Sequence, residues 1–176
     1  ACMPVGCILT IAAAGSEMSN SSVITKEDEG LKRSCNTNLA RARFAIMNPE
    51  LTVTLPDWQT QAGCTDIMMH TMERYFTSEC DLLLTDALGE GLMRTVMESA
   101  RVLTKEPENY EARAEVMWAG SLSHNDITGS RSFGDWACHQ LEHELGGLYD
   151  VTHGAGLAAL WGSWARYVYD ANQERL

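Results

Sequence analysis

Three short stretches of this chain place metal-binding side chains at spacings that chemistry can use. In Asp66-Ile-Met-Met-His70 a carboxylate and an imidazole stand four residues apart. On a helix that spacing puts both on one face with Cβ atoms ~5–6 Å apart, close enough to share a cation. His139-Gln-Leu-Glu-His143 presents two imidazoles in the same way, and His153 follows fourteen residues after His139. Fourteen residues of unbroken helix would hold those two rings ~21 Å apart, so convergence on one ion demands a reversal of the chain. Gly146-Gly147 supplies a predicted helix stop, and Leu148-Tyr149-Asp150-Val151 is long enough to turn back before His153-Gly154 opens the next helix. A lone Asp-x-x-x-His or His-x-x-x-His is more often a solvated pair than a ligand set. Here both occur in one chain, and four of its five histidines fall within these stretches. The fifth, His124, lies near a predicted helix end, where a capping or hydrogen-bonding role suits it better.

The elements that must carry these residues change character near Pro56. Before it the chain is extended and rich in turns: the apolar run from Val5 to Ala14, a short strand at Val23-Ile24-Thr25, a turn at Lys26 to Gly30, and a strand at Phe44 to Met47 ending in Asn48-Pro49. After it the spacing predicts helices from Asp57 to Phe76 and from Asp81 to Leu103. A third starts at Pro107 and runs to about His124. Asp135 is the predicted N-cap of a helix ending at Leu145 before the two glycines, and a last helix runs from Thr152 or His153 to Arg175. The Leu and Met stripes, with most of the nine methionines, read as core.

Composition narrows the function classes. Hydrophobic residues make up 45% and charged residues 21% of the 176, a globular balance. Acidic residues outnumber basic ones 24 to 13, giving a net charge of -11, which disfavours nucleic acid and anionic membranes as partners. No apolar run reaches the ~20 residues that cross a bilayer. Val5 to Ala14 lacks the positive flank of a signal peptide. The six cysteines, Cys2, Cys7, Cys35, Cys64, Cys80 and Cys138, form no C-x-x-C pair and are expected to be reduced thiols of a cytoplasmic protein.

The chemistry-bearing stretches also carry a resemblance. Trp136-Ala-Cys-His139-Gln-Leu-Glu-His143-Glu-Leu-Gly146-Gly147-Leu-Tyr-Asp-Val-Thr-His153-Gly154-Ala-Gly156 resembles, position by position, the second signature of the iron-containing alcohol dehydrogenases. Ala62-Gly63-Cys-Thr-Asp66-Ile-Met-Met-His70-Thr-Met-Glu73 resembles their first signature, and Thr10-Ile-Ala-Ala-Ala14-Gly15-Ser16-Glu17 the loop laid along the nicotinamide. Trp118-Ala-Gly-Ser-Leu-Ser-His124-Asn125 is closest to the butanol-dehydrogenase-like branch.

That resemblance implies a mainly α fold: the end of an α/β nucleotide-binding domain (1–55), then the first part of an all-helical metal-binding domain (56–176) of the dehydroquinate-synthase-like kind. It implies Asp66, His70, His139 and His153 as ligands of Fe(II), with Zn(II) second, and His143 as a catalytic residue beside the nicotinamide. Thr10, Ser19, Ser21, Lys32 and His143 would contact NAD or NADP. Ala14 stands where a threonine is common and Gln61 where a small aliphatic is usual. The implied reaction is reversible oxidation of a primary alcohol such as butanol to its aldehyde, with hydride passing to the nicotinamide. A homodimer of the full-length enzyme stays open.

No G-x-G-x-x-G turn is present and family members are about twice as long, so the chain resembles an internal fragment expected to be inactive alone. Other readings fit less well. A zinc hydrolase of the H-E-x-x-H type needs Glu where Gln140 stands, and a non-catalytic metal-binding helical protein of the ferritin kind needs paired Glu-x-x-His motifs. A glycerol-dehydrogenase-like zinc enzyme generally lacks the histidine at position 70.

Overall fold

The computed structural model of the chain describes residues 3–77, 81–129 and 134–176. Four short strands come first: β1 (Gly6–Ile8), β2 (Ser21–Lys26), β3 (Leu31–Asn36) and β4 (Phe44–Ile46). β1 pairs in parallel with β4, and β2 and β3 form an antiparallel hairpin closed by a 3-10 turn over Glu27–Glu29, with Gly30 in the left-handed region. The expected strands and the Lys26 to Gly30 turn are present. β3 was not foreseen, because Leu-Lys-Arg-Ser-Cys-Asn has no apolar alternation and owes its conformation to pairing and docking.

Five helices follow: α1 (Asp57–Tyr75), α2 (Leu83–Leu103), α3 (Tyr110–His124), α4 (Ala137–Tyr149) and α5 (His153–Val168). α1 lies at the centre, buried nearly all round, as a helix enclosed by others must be. On one side Cys64 and Ile67 of α1 pack with Leu92, Val96 and Leu103 of α2 and Ala112, Val116 and Ala119 of α3. On the other, Met69 meets Cys138 of α4 and Leu157 and Trp164 of α5. Met69 and Met117 are core, whereas Met3, Met18 and Met97 are exposed, so the methionines are less uniformly interior than expected.

Three helix boundaries differ from expectation. α3 begins at Tyr110, not Pro107, because the Asn109 side chain accepts the Ala112 N–H at 3.0 Å and caps the helix there. Asp135 accepts the Ala137 N–H at 3.0 Å, but the N-cap position of α4 is Trp136, in the left-handed region with φ 57°, and Gly146-Gly147 does not stop the helix. The helix runs through both glycines to Tyr149, and the chain reverses at Asp150, in the left-handed region with φ 53°. Gly147 serves contact instead: a Cβ there would lie 2.4 Å from the Gly30 carbonyl oxygen of the hairpin. α5 ends at Val168 and passes into a 3-10 turn over Tyr169–Ala171 rather than continuing to Arg175.

Cys7, Cys35, Cys64 and Cys138 are free thiols, while Cys2 and Cys80 lie outside the described residues. Burial pushes the Cys64 and Cys138 thiols up to about 12, so neither is a nucleophile near neutrality. No helix among the described residues is long and apolar enough to cross a membrane.

Candidate metal centre

Asp66, His70 and Glu73 fall at i, i+4 and i+7 along α1, so one face of this central helix carries all three into the interior, each 3% exposed or less. α4 presents His139 from its first turn, and α5 presents His153 as its first residue. The next residue makes that approach feasible: a Cβ on Gly154 would sit 1.9 Å from the Ala62 carbonyl oxygen, so only glycine lets the start of α5 lie on α1 so close to Asp66.

The three imidazoles converge on one atom. Nε2 of His70 lies 3.4 Å from Asp66 Oδ1, and Nε2 of His139 and of His153 each 3.5 Å from the same oxygen. The ligand atoms of Asp66, His139 and His153 are all within 4.8 Å of one another. His70 joins through Asp66 and by stacking on His139, with ring centroids 5.0 Å apart. Asp66 Oδ1 and His139 Nε2 are buried with no hydrogen-bond partner among the described residues.

A buried acceptor facing three ring nitrogens without a hydrogen bond calls for a ligand, and a carboxylate with three imidazoles suits a divalent ion such as Fe(II) or Zn(II). The residues therefore fit a metal.

Carboxylates orient two of the rings. His139 Nδ1 lies 2.7 Å from Glu73 Oε1, which also accepts the His139 backbone N–H at 3.0 Å. His153 Nδ1 pairs with Glu142 Oε2. An Nδ1–H held by a carboxylate turns the Nε2 lone pair inward and raises its basicity, the usual support of metal-binding histidine.

The electrostatics follow. Burial would raise the Asp66 carboxyl, but His70, His139 and His153 hold it well below the usual carboxylate range. Burial pushes His70 well below its ordinary value against the pull of Asp66. Burial also opposes charge on His139, yet Asp66 and Glu73 outweigh it and raise that imidazole to about 9. Without a metal, a proton takes the cation's place.

Two family models match the chain. A family model described as "Fe-containing alcohol dehydrogenase family, C-terminal" matches residues 60–176, and one described as "Iron-containing alcohol dehydrogenase" matches residues 1–49. The chain belongs to the iron-containing alcohol dehydrogenase family.

Within that family it is butanol-dehydrogenase-like. It is 40% identical over 173 residues to a probable NADH-dependent butanol dehydrogenase of Bacillus subtilis, a match covering 98% of this chain and 44% of that protein. It is 38% identical over 163 residues to the NADPH-dependent aldehyde reductase YqhD of Escherichia coli, covering 90% of this chain and 42% of that one. The crystal structure of NADH-dependent butanol dehydrogenase A from Thermotoga maritima superposes with a TM-score of 0.94 at 35% identity, over 98% of this chain and 43% of that one. The chain thus spans under half the length of the relatives it matches.

Of the remaining predicted site residues of this iron-containing alcohol dehydrogenase chain, His143 groups with Glu142 and His153, their ligand atoms within 4.8 Å of one another. His143 is half-buried on α4, its ring 5.8 Å from that of His153. Burial, then Lys32 and His153, push its pKa down to about 4. It is a neutral base at pH 7. Thr10 is exposed, while Ser19 is buried with Oγ 3.2 Å from His124 Nε2 and accepts the Ser21 N–H at 2.9 Å. Lys32 turns to Glu142, 3.1 Å away.

Sequence reasoning gave Glu73 and Glu142 no role, although both lie at helical spacing from ligand candidates. A fully buried carboxylate cannot be told from a solvated one by spacing. His124 was expected to hydrogen-bond, and it does, but it also stacks on His70 with centroids 4.2 Å apart. Burial and then Arg74 lower its pKa to about 4.

Proposed function

We propose that this chain carries the metal centre of an NAD(P)-linked alcohol dehydrogenase that interconverts a primary alcohol, such as butanol, and its aldehyde. The observation that carries the reading is the convergence of three imidazole Nε2 atoms on the unpartnered Asp66 Oδ1, two of the rings oriented by buried carboxylates. Asp66, His70, His139 and His153 would hold the ion, Fe(II) ahead of Zn(II) on the family relationship. A divalent ion bound there would supply Lewis acidity to the substrate oxygen, and NAD(P) would accept hydride.

The chain's own residues do the rest. Glu73 and Glu142 hold His139 and His153 in the tautomer that turns Nε2 toward Asp66. His143, its ring 5.8 Å from that of His153, is the residue assigned to relay the hydroxyl proton toward solvent. Asp66, His70 and His139 are buried between α1 and α4, while His153 at the start of α5 stays partly exposed. Thr10, Ser19 and Ser21 stay assigned to the coenzyme side. NADH- and NADPH-dependent relatives support a nicotinamide coenzyme of either kind.

The reading divides the chain near Pro56 into nucleotide-binding (1–55) and metal-binding (56–176) parts. It assigns turnover to a polypeptide that also supplies a pyrophosphate-binding turn. The reading keeps the expected cytoplasmic setting. Anaerobic loading with Fe(II) or Zn(II) followed by metal analysis tests the centre: one ion per chain is expected, and none in His153→Ala. An unmodified protein that binds no ion, or a His153→Ala variant with undiminished metal, would overturn it.

A further inference from the structure

The β2–β3 hairpin is mostly exposed, yet its second strand is tied to the interior at one point. Lys32 on β3 reaches across to α4, where its Nζ lies 3.1 Å from Glu142 Oε2. The same oxygen pairs with Nδ1 of His153. The Glu142 side chain is fully buried and that of Lys32 is 16% exposed, so the pair is shielded rather than solvated. Contacts on both sides hold the hairpin in register on α4: the Gly30 carbonyl lies against Gly147, and Arg33 pairs with Glu144 at 2.7 Å.

A carboxylate buried to this degree needs a balancing cation and a fixed rotamer if it is to hold an imidazole in place. Lys32 supplies both through one of its three ammonium donors. We propose that Lys32 is a positioning residue of the metal centre, acting through Glu142 on His153, so that docking of the hairpin and occupancy of the metal site stabilise each other. The inference rests on the metal-centre reading above. Reciprocity follows from linkage: whatever factor the docked hairpin adds to metal affinity, bound metal adds to docking.

Co(II) is a suitable probe, because its visible d–d absorption reports ligand geometry without turnover. Lys32→Met should weaken Co(II) binding ~10–100-fold, the range for losing an outer partner of a metal-binding histidine, and alter the absorption bands. Lys32→Arg should restore both. Lys32→Met combined with Glu142→Gln should bind no more weakly than Glu142→Gln alone. In the unmodified protein, Co(II) should slow hydrogen exchange of the amides at 31–36.

That last comparison needs no variant and decides the matter even if the variants fail to fold: unchanged exchange would overturn the coupling. So would a folded Lys32→Met that binds Co(II) with unaltered affinity and spectrum and loses only coenzyme affinity, or fully additive effects of the two substitutions. Failure of the unmodified protein to bind Co(II) would instead overturn the metal-centre reading itself.

Discussion

Metal binding at this centre should release close to one proton per ion at neutral pH, and the source should be His139. In the metal-free protein Asp66 and Glu73 raise this imidazole to about 9, whereas His70 is pushed far below its ordinary value and is already neutral. A cation must find Nε2 of His139 deprotonated, so binding expels the proton that the two carboxylates hold. At pH 7.5 that group is about 97% protonated, so the release is about one proton. At pH 9 it falls to about half, and apparent affinity drops about tenfold per pH unit below that point.

Titration calorimetry with Zn(II), in buffers of differing ionisation enthalpy, measures the release directly from the slope of observed against buffer enthalpy. The same shift fixes a stability trend. A histidine raised in the folded state contributes stability fully present below its unfolded pKa of ~6.5 and lost as pH rises through about 9. The metal-free protein should therefore lose Tm between pH 7 and pH 9, and the zinc-loaded protein should not follow it. A slope of zero at pH 7.5, or equal zinc affinities at pH 7 and pH 8, would refute the reasoning.

In an enzyme that contains this chain and turns over, His143→Ala should keep its metal and lose ~10²–10⁴-fold in rate, the range for removing a general base; loss of metal would put His143 among the ligands. Glu73→Gln should lower metal affinity ~10–100-fold, measured by chelator competition, and unchanged affinity would deny Glu73 its orienting role. Gly154→Ala should lower Tm, because the added Cβ would stand 1.9 Å from the Ala62 carbonyl and forcing α5 off α1 costs ~1–3 kcal/mol. The same variant should also bind metal more weakly, since His153 would retreat from Asp66. A fully stable Gly154→Ala with intact metal affinity would show that the helix approach is not what places His153.

The sequence by itself determined what depends on local geometry. Asp66 and His70 share a face of α1 because four residues span about one helical turn, and the helical pattern after Pro56 is visible because each helix buries an apolar stripe. The turn at Lys26 to Gly30 was legible for the same reason, whereas the left-handed conformation of Gly30 came only with the structure.

Only the tertiary structure decided which distant groups meet. Spacing alone sets His143 beside His139 and lets His153 join only if the chain reverses; the reversal at Asp150 and the close crossing at Gly154 bring His153 to Asp66, while His143 meets Glu142 and His153. The glycines of α4 read as a stop because a missing side chain looks the same in sequence whether it ends a helix or admits a neighbouring backbone, and here Gly147 admits the hairpin. Glu73, Glu142 and Lys32 were indistinguishable from solvated charges, since burial in a low-dielectric interior is a property of the packed helices and not of the residues along the chain.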